Sequence, residues 1–178
     1  MNRIAKLLFS SPLAVALNTG CYGGSSYSGD GHLTDNGPLA ATDRYVLDLG
    51  PIDLTQPGKK HFRIANLPEV NFVVGVEISV APQDQVVVEK QLINSVLSLE
   101  LSESAGETLV AKKAALNTWT WSVPAEGHQA FIYGREKQAT YFNARAKTKY
   151  VLTLNVLEPD RSQSKYSSQL KMKSGGWK

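Results

Sequence analysis

Cysteine is almost absent from this chain. Cys21 is the single cysteine in 178 residues, which excludes an intrachain disulfide. No His-x-x-x-His occurs, so the closely spaced ligands of a zinc site are missing as well. Three histidines, His32, His61 and His128, stand far apart, and neither a Gly-x-Ser-x-Gly elbow nor a phosphate-cradling Gly-x-x-x-x-Gly-Lys is present. A nucleophile, a base and an orienting group cannot be assembled from these residues. The sequence therefore predicts a non-enzymatic protein with no cofactor and no metal. Asp43, Asp48 and Asp53 are the one oxygen-ligand set to weigh, as a calcium site on a sandwich edge. The plainer alternative is carboxylates flanking the Gly50-Pro51 turn.

Charge of one sign is also scarce. The formal net charge is +3, and setting aside Arg3 and Lys6 of the leader leaves 17 basic against 16 acidic residues, or +1. Overall charge gives no indication of a nucleic-acid partner. Long apolar runs are missing too. Leu7–Leu17 is mainly apolar, interrupted by Ser10, Ser11 and Pro12; at about 11 residues it falls short of the roughly 20 needed to cross a bilayer. Arg3 and Lys6 before it and Asn18-Thr19-Gly20 after it complete the pattern of a secretory signal over residues 1–20.

Leu17-Asn18-Thr19-Gly20-Cys21 resembles the lipobox of bacterial lipoprotein precursors, with Gly20 before the cysteine and Asn18 where that family has Leu. The resemblance implies cleavage before Cys21 and lipidation of its thiol, with palmitate among the acyl groups. It accounts for an unpaired cysteine in an exported protein, the alternative being an ordinary cleaved signal with an incidental thiol. Tyr22, where the family's retention signal has Asp, implies the periplasmic face of the outer membrane. Two or more acyl chains anchor stably, at about 0.8 kcal/mol per buried methylene.

Residues 21–42 are expected to form the lipidated cysteine and a flexible tether. Tyr22–Thr42 is rich in Gly, Ser and Asp, a composition that buries little apolar surface. A coil of about 20 residues would reach roughly 25 Å. His32 lies here as a solvated side chain.

Residues 43–178 are expected to form one all-β domain, a two-sheet antiparallel β-sandwich of immunoglobulin-like or jelly-roll kind. Apolar residues alternate in Arg44–Leu49, Lys60–Ile64, Asn71–Val80, Ser95–Ser102, Trp119–Val123 and Lys149–Leu157, separated by Gly, Pro and Asn turns. In the longest, Phe72, Val74, Val76, Ile78 and Val80 share an inward face and Val73, Gly75, Glu77 and Ser79 an outward one. Gly75 suggests a bulge or the close approach of another backbone. Val86–Ile93 is ambiguous between strand and helical turns. Thr108–Ala111 predicts a short strand. Gln129–Arg135 and Thr140–Ala144 predict a hairpin around Glu136-Lys137. One-sided alternation excludes a doubly wound parallel sheet.

No acid follows Asp160, while Arg161, Lys165, Lys171, Lys173 and Lys178 are basic. Gln169–Lys173 is expected as an edge strand blunted by its lysines. The tail is either a patch for an acidic partner or, more simply, a solvated charge run.

Trp119 and Trp121 share one strand face opposite Thr120 and Ser122. That alternation predicts a core position, and a sugar-stacking platform is the alternative. Tyr133, Arg135 and Arg161 are candidate partner-binding residues, chosen by residue type and expected exposure.

Ile52–Gly58 followed by Phe62-Arg63-Ile64 resembles the opening of small bacterial all-β lipoproteins, over about a third of the chain. Some similar lipoproteins are immunity proteins against type VI secretion effectors, including lipases. The resemblance implies a protein partner inhibited by occlusion of its site. A carbohydrate- or envelope-polymer-binding module and an assembly component of a secretion or envelope machine are the alternatives.

Overall fold

The computed structural model describes residues 27–38, 43–81, 93–161 and 166–174. The leader, Cys21 and most of the ambiguous Val86–Ile93 stretch lie outside the described residues. Within them the chain forms two antiparallel sheets. One carries, in spatial order, β1 (Ser28–Gly29), β4 (Gly58–Ala65), β11 (Lys149–Glu158), β6 (Val96–Glu103) and β7 (Thr108–Ala115). The other runs β2 (His32–Asp35), β3 (Tyr45–Pro51), β12 (Ser167–Ser174), β5 (Asn71–Ser79), β9 (Gln129–Tyr133) and β8 (Thr120–Ser122), with β10 (Tyr141–Asn143) also paired to β5. The all-β, two-sheet antiparallel sandwich expected from the alternation is the fold that forms.

The period of two explains the core. Leu97, Leu99 and Leu101 of β6 lie beside Val156, Leu154 and Leu152 of β11, and Phe62 and Ile64 of β4 extend the same face. Opposite them, Leu170 pairs with Val76, Val76 with Ile132, and Ile132 with Trp121, one inward row crossing four strands. Each fully buried aliphatic or aromatic side chain contributes about 1.5–3 kcal/mol, so these rows dominate the stability of the sandwich.

Four expectations need correction. First, β12 is not an edge strand. It lies between β3 and β5 inside the seven-stranded sheet. Its lysines are not edge guards, because acids from other strands meet them: Lys171 Nζ is 2.5 Å from Glu77 Oε1, and Lys173 Nζ is 3.2 Å from Glu77 Oε2 and 3.3 Å from Asp43 Oδ2. This part of the basic tail is neither a solvated run nor an open patch.

Second, β9 and β10 do not form a hairpin. Both pair with β5, β9 along Gly75–Ser79 and β10 along Asn71–Val73. They are one strand interrupted by an excursion.

Third, residues 27–38 of the expected tether are structured. β1 pairs with β4 and β2 with β3, so this segment lies on one edge of each sheet. Backbone pairing orders it together with Tyr27 and Leu33, which pack against the core, and its glycines permit the contact. A β-carbon on Gly29 would sit 2.2 Å from the Arg63 carbonyl oxygen, and one on Gly31 would sit 2.3 Å from that of Asp48.

Fourth, the outward face of β5 is covered. Val73 is fully buried, and Glu77 is only 9% exposed. Gly75 does mark a close approach: a β-carbon there would lie 2.6 Å from the Ile132 carbonyl oxygen and 2.6 Å from Phe131 Cζ. Two strand ends also differ from expectation. β3 continues through Gly50, at φ +92°, to Pro51 beside a register shift in β12. β7 runs to Ala115, through an AKKAA stretch that lacks apolar alternation.

Candidate protein-binding site

The excursion between β9 and β10, residues Gly134–Thr140, is held at its base and along its length. Its base is pinched shut at two residues. Thr140 N donates to the Gly134 carbonyl at 3.2 Å, and Gly134 N donates to Thr140 Oγ1 at 3.1 Å. Thr140 Oγ1 in turn donates to the Val74 carbonyl at 2.7 Å, while Val74 N donates to the Thr140 carbonyl at 2.9 Å. A buried threonine thus replaces one rung of the β5 ladder and closes the loop. Gly134 has to be glycine, since a β-carbon would fall 1.7 Å from the Gln138 carbonyl oxygen.

Inside the loop a 3₁₀ turn, Glu136–Gln138, is held by Gln138 N to the Arg135 carbonyl at 2.9 Å and Ala139 N to the Glu136 carbonyl at 3.1 Å. Glu136 takes φ +51°, a left-handed conformation that costs a non-glycine residue roughly 1 kcal/mol or more. Contacts from outside hold it as well. Trp119 Nε1 donates to Gln138 Oε1 at 2.9 Å, and Lys112 Nζ donates to the Lys137 carbonyl at 3.0 Å. Between the loop and Thr118–Thr120 lies a polar groove of about 330 Å³. Arg135, Glu136, Lys137 and Gln138 are exposed on its rim. Fixed backbone with exposed long side chains is what a protein contact surface needs, because little ordering entropy remains to be lost on binding.

The candidate residues separate. Arg135 is exposed and lies on the groove. Arg161 is exposed, and a relay connects its neighbourhood to the same side. Asn94 N donates to Asp160 Oδ2 at 3.2 Å, and Asn117 Nδ2 donates to Asn94 Oδ1 at 2.5 Å, one residue before the groove-lining Thr118. Tyr133 is not an exposed loop residue. It is 7% exposed and stacks on Phe131 with ring centroids 5.7 Å apart, because the loop begins only after it. Trp119 is 2% exposed and fills the core, as the alternation predicted. Trp121 is half-buried against the same core, its Nε1 donating to the Leu116 carbonyl at 3.0 Å. The two indoles therefore offer no shared open platform for sugar stacking. Cys21 lies outside the described residues.

Of the three aspartates weighed for calcium, Asp43 faces Lys173, Asp48 Oδ1 accepts from Gly50 N and its Oδ2 lies 3.8 Å from Lys171 Nζ. Asp53 Oδ1 accepts from both Thr55 N and Thr55 Oγ1, which hold its carboxyl below the usual range. Each is engaged separately. His61 is exposed, with Nδ1 3.0 Å from Thr153 Oγ1, and His32 is exposed on β2.

Sequence reasoning missed Gln138, Thr140 and Lys112 as loop anchors. The one available signal was Gly134, a glycine inside an alternating strand, which marks an interruption.

No family model matches the chain. It is 29% identical over 107 residues to "tRNA nuclease CdiA" of Burkholderia pseudomallei, and the same identity and length hold for "tRNA nuclease CdiA-2" of Burkholderia pseudomallei strain 1026b. The similarity takes in 57% of this chain but 8% and 3% of those proteins, so the chain matches only a small part of each.

Proposed function

We propose that this chain is a non-enzymatic, membrane-anchored periplasmic protein that binds a protein partner in a nuclease-toxin setting, and that it acts there as an immunity protein. The observation that carries the reading is the segment it shares with proteins named as tRNA nucleases. A nuclease therefore replaces a lipase as the effector class. The shared segment also supplies a mechanism. A chain similar to one part of a larger protein can occupy the surface against which that part packs, and so hold the larger protein in an incompetent arrangement. The contact surface is the Gly134–Thr140 loop and its groove, rimmed by Arg135, Glu136 and Lys137. Interface energy concentrates in a few such anchors. Lipidation at Cys21 would keep the domain at the outer membrane, where an incoming effector is met.

The test is direct. Residues 21–178 with Cys21→Ser, mixed with the nuclease of the matching kind, should give a one-to-one complex and suppress cleavage of tRNA. Deleting the gene should sensitise cells to siblings that carry that nuclease. Absence of both complex and sensitisation, with capture on a glycan array, would move the assignment to the carbohydrate-binding alternative.

A further inference from the structure

The solvent side of the five-stranded sheet carries a basic band that the loop and groove do not use. Lys59, His61 and Arg63 alternate along β4, all exposed, opposite the inward Phe62 and Ile64. Lys149 opens β11 beside Ala65, one diagonal step from Arg63, which pairs with Val151. Arg63 and Lys149 both line a cleft of about 240 Å³ at the junction of β1, β4 and β11. None of the Lys59, Arg63 or Lys149 side-chain cations makes an ion pair among the described residues. Acids also lie on this side: Glu100 of β6 pairs with Thr153 of β11, exposed Glu158 ends β11 opposite Val96, Asp53 lines a cleft with Lys59, and Asp30 uses its Oδ2 to accept the Arg63 backbone N–H at 2.7 Å.

The band lies where the chain enters the fold. Tyr27 packs against the core and donates its hydroxyl to the Asp30 carbonyl, and β1 follows at once on the edge of β4. Only residues 22–26 separate Cys21 from Tyr27. Six backbone steps span at most about 20 Å when fully extended, not the longer reach of a tether running to residue 42. An anchor at Cys21 therefore holds Tyr27 within about that distance of the lipid, with β1 and the Ile64–Ala65 end of β4 next to it.

We infer that the β4 band, Lys59, Arg63 and Lys149, docks onto the anionic phospholipid headgroups of the membrane that holds Cys21, setting the sandwich with its β1/β4 edge toward the lipid. The inference takes its geometry from the Cys21 reading, while its charge chemistry is independent of it. Phosphate headgroups suit a guanidinium and an ammonium flanking one cleft, and each basic residue near an anionic surface is worth about a fivefold gain in partition.

The experiment uses residues 21–178 with Cys21→Ser, so that no acyl chain contributes, and vesicles of phosphatidylcholine alone or with phosphatidylglycerol, read by co-sedimentation. Binding should require phosphatidylglycerol and disappear as salt is raised from about 0.05 to 0.5 M. The triple variant Lys59→Gln, Arg63→Gln, Lys149→Gln should partition about a hundredfold more weakly. An Arg135→Glu, Lys137→Glu variant, altered at the loop instead, should bind vesicles like the parent. Parent and triple variant binding equally well, partition that ignores phosphatidylglycerol, or binding to tRNA with none to vesicles would each overturn the inference. Failure of lipid anchoring itself would appear elsewhere, as a parent chain that remains soluble in cell fractions.

Discussion

The ring of Phe131 occupies the place where a side chain on Gly75 would stand. The two residues sit on adjacent strands, Phe131 opposite Glu77 and Gly75 opposite Tyr133, so the ring leans diagonally across the sheet to fill the gap. Lys173 then sits over that ring, its Nζ 4.7 Å from the centroid. A glycine on β5, an aromatic on β9 and a lysine on β12 thus tie three strands together on the outer side of the sheet.

Gly75→Ala should destabilise the domain by about 2 kcal/mol, because its methyl meets both the ring and the Ile132 carbonyl. Urea unfolding checks this. Phe131→Leu in the same chain should recover part of the loss, since it relieves the ring contact but not the backbone one. A double variant no better than the sum of the singles would place the whole cost on the backbone.

Glu77 is the hub of the ion pairs beneath that ring. Burial alone would push its carboxyl up, but the hydrogen bond from Lys171 and the charges of Lys173 and Lys171 outweigh it and hold the group below its ordinary value of 4.5. The sign follows. The contribution of Glu77 is complete above about pH 4.5 and is lost as pH falls through its lowered value in the folded state. Glu77→Gln should cost about 3 kcal/mol at neutral pH, because two largely buried ammonium groups lose their shared partner. It should also flatten the fall in thermal midpoint on acidification.

Arg135 and Tyr133 lie two residues apart and should behave oppositely. Arg135→Ala should cost no more than about 1 kcal/mol of stability and weaken partner binding by about 2 kcal/mol. Tyr133→Ala should cost about 3 kcal/mol of stability through lost packing on Phe131 and Val73. Paired melting and titration-calorimetry measurements separate the two. Equal destabilisation by both variants would remove the loop from the interface.

The contrast between these two residues shows where the sequence was legible. The strict alternation of β5 and β11 marked the sandwich because each inward row is apolar without interruption. Tyr133 was misplaced because the turn signal at Glu136-Lys137 is real, but it closes an excursion rather than a hairpin. Only the pairing of both flanking strands with β5 distinguishes the two. Residues 27–38 were hidden for a different reason. Their order comes largely from backbone hydrogen bonds to Arg63, Ile64 and Asp48 and their neighbours, with only Tyr27 and Leu33 packed on the core, and such bonds leave no periodicity in side chains. The lysines of β12 were unreadable alone, since the charges that neutralise them come from Asp43, Asp48 and Glu77, far away in the chain.

Cys21→Ser should move the protein from the membrane to the soluble envelope fraction, read by fractionation and by loss of acyl labelling. Asn18→Leu, which restores the lipobox pattern, should speed maturation in a pulse-chase. Equal solubility of parent and Cys21→Ser would sink the anchor.

β12 has a consequence for the order of assembly. The neighbours it separates, β3 and β5, come earlier in the chain, and among the described residues no other strand pairs with both. Until β12 docks, β2-β3 on one side and β5 with its partners on the other have no pairing across the slot between them among the described residues. Closing that slot means paying a long loop-closure entropy before any contact returns it. Any state in which β12 is undocked exposes the facing edges of β3 and β5, and open edges of that kind can accept an equivalent strand from a second copy.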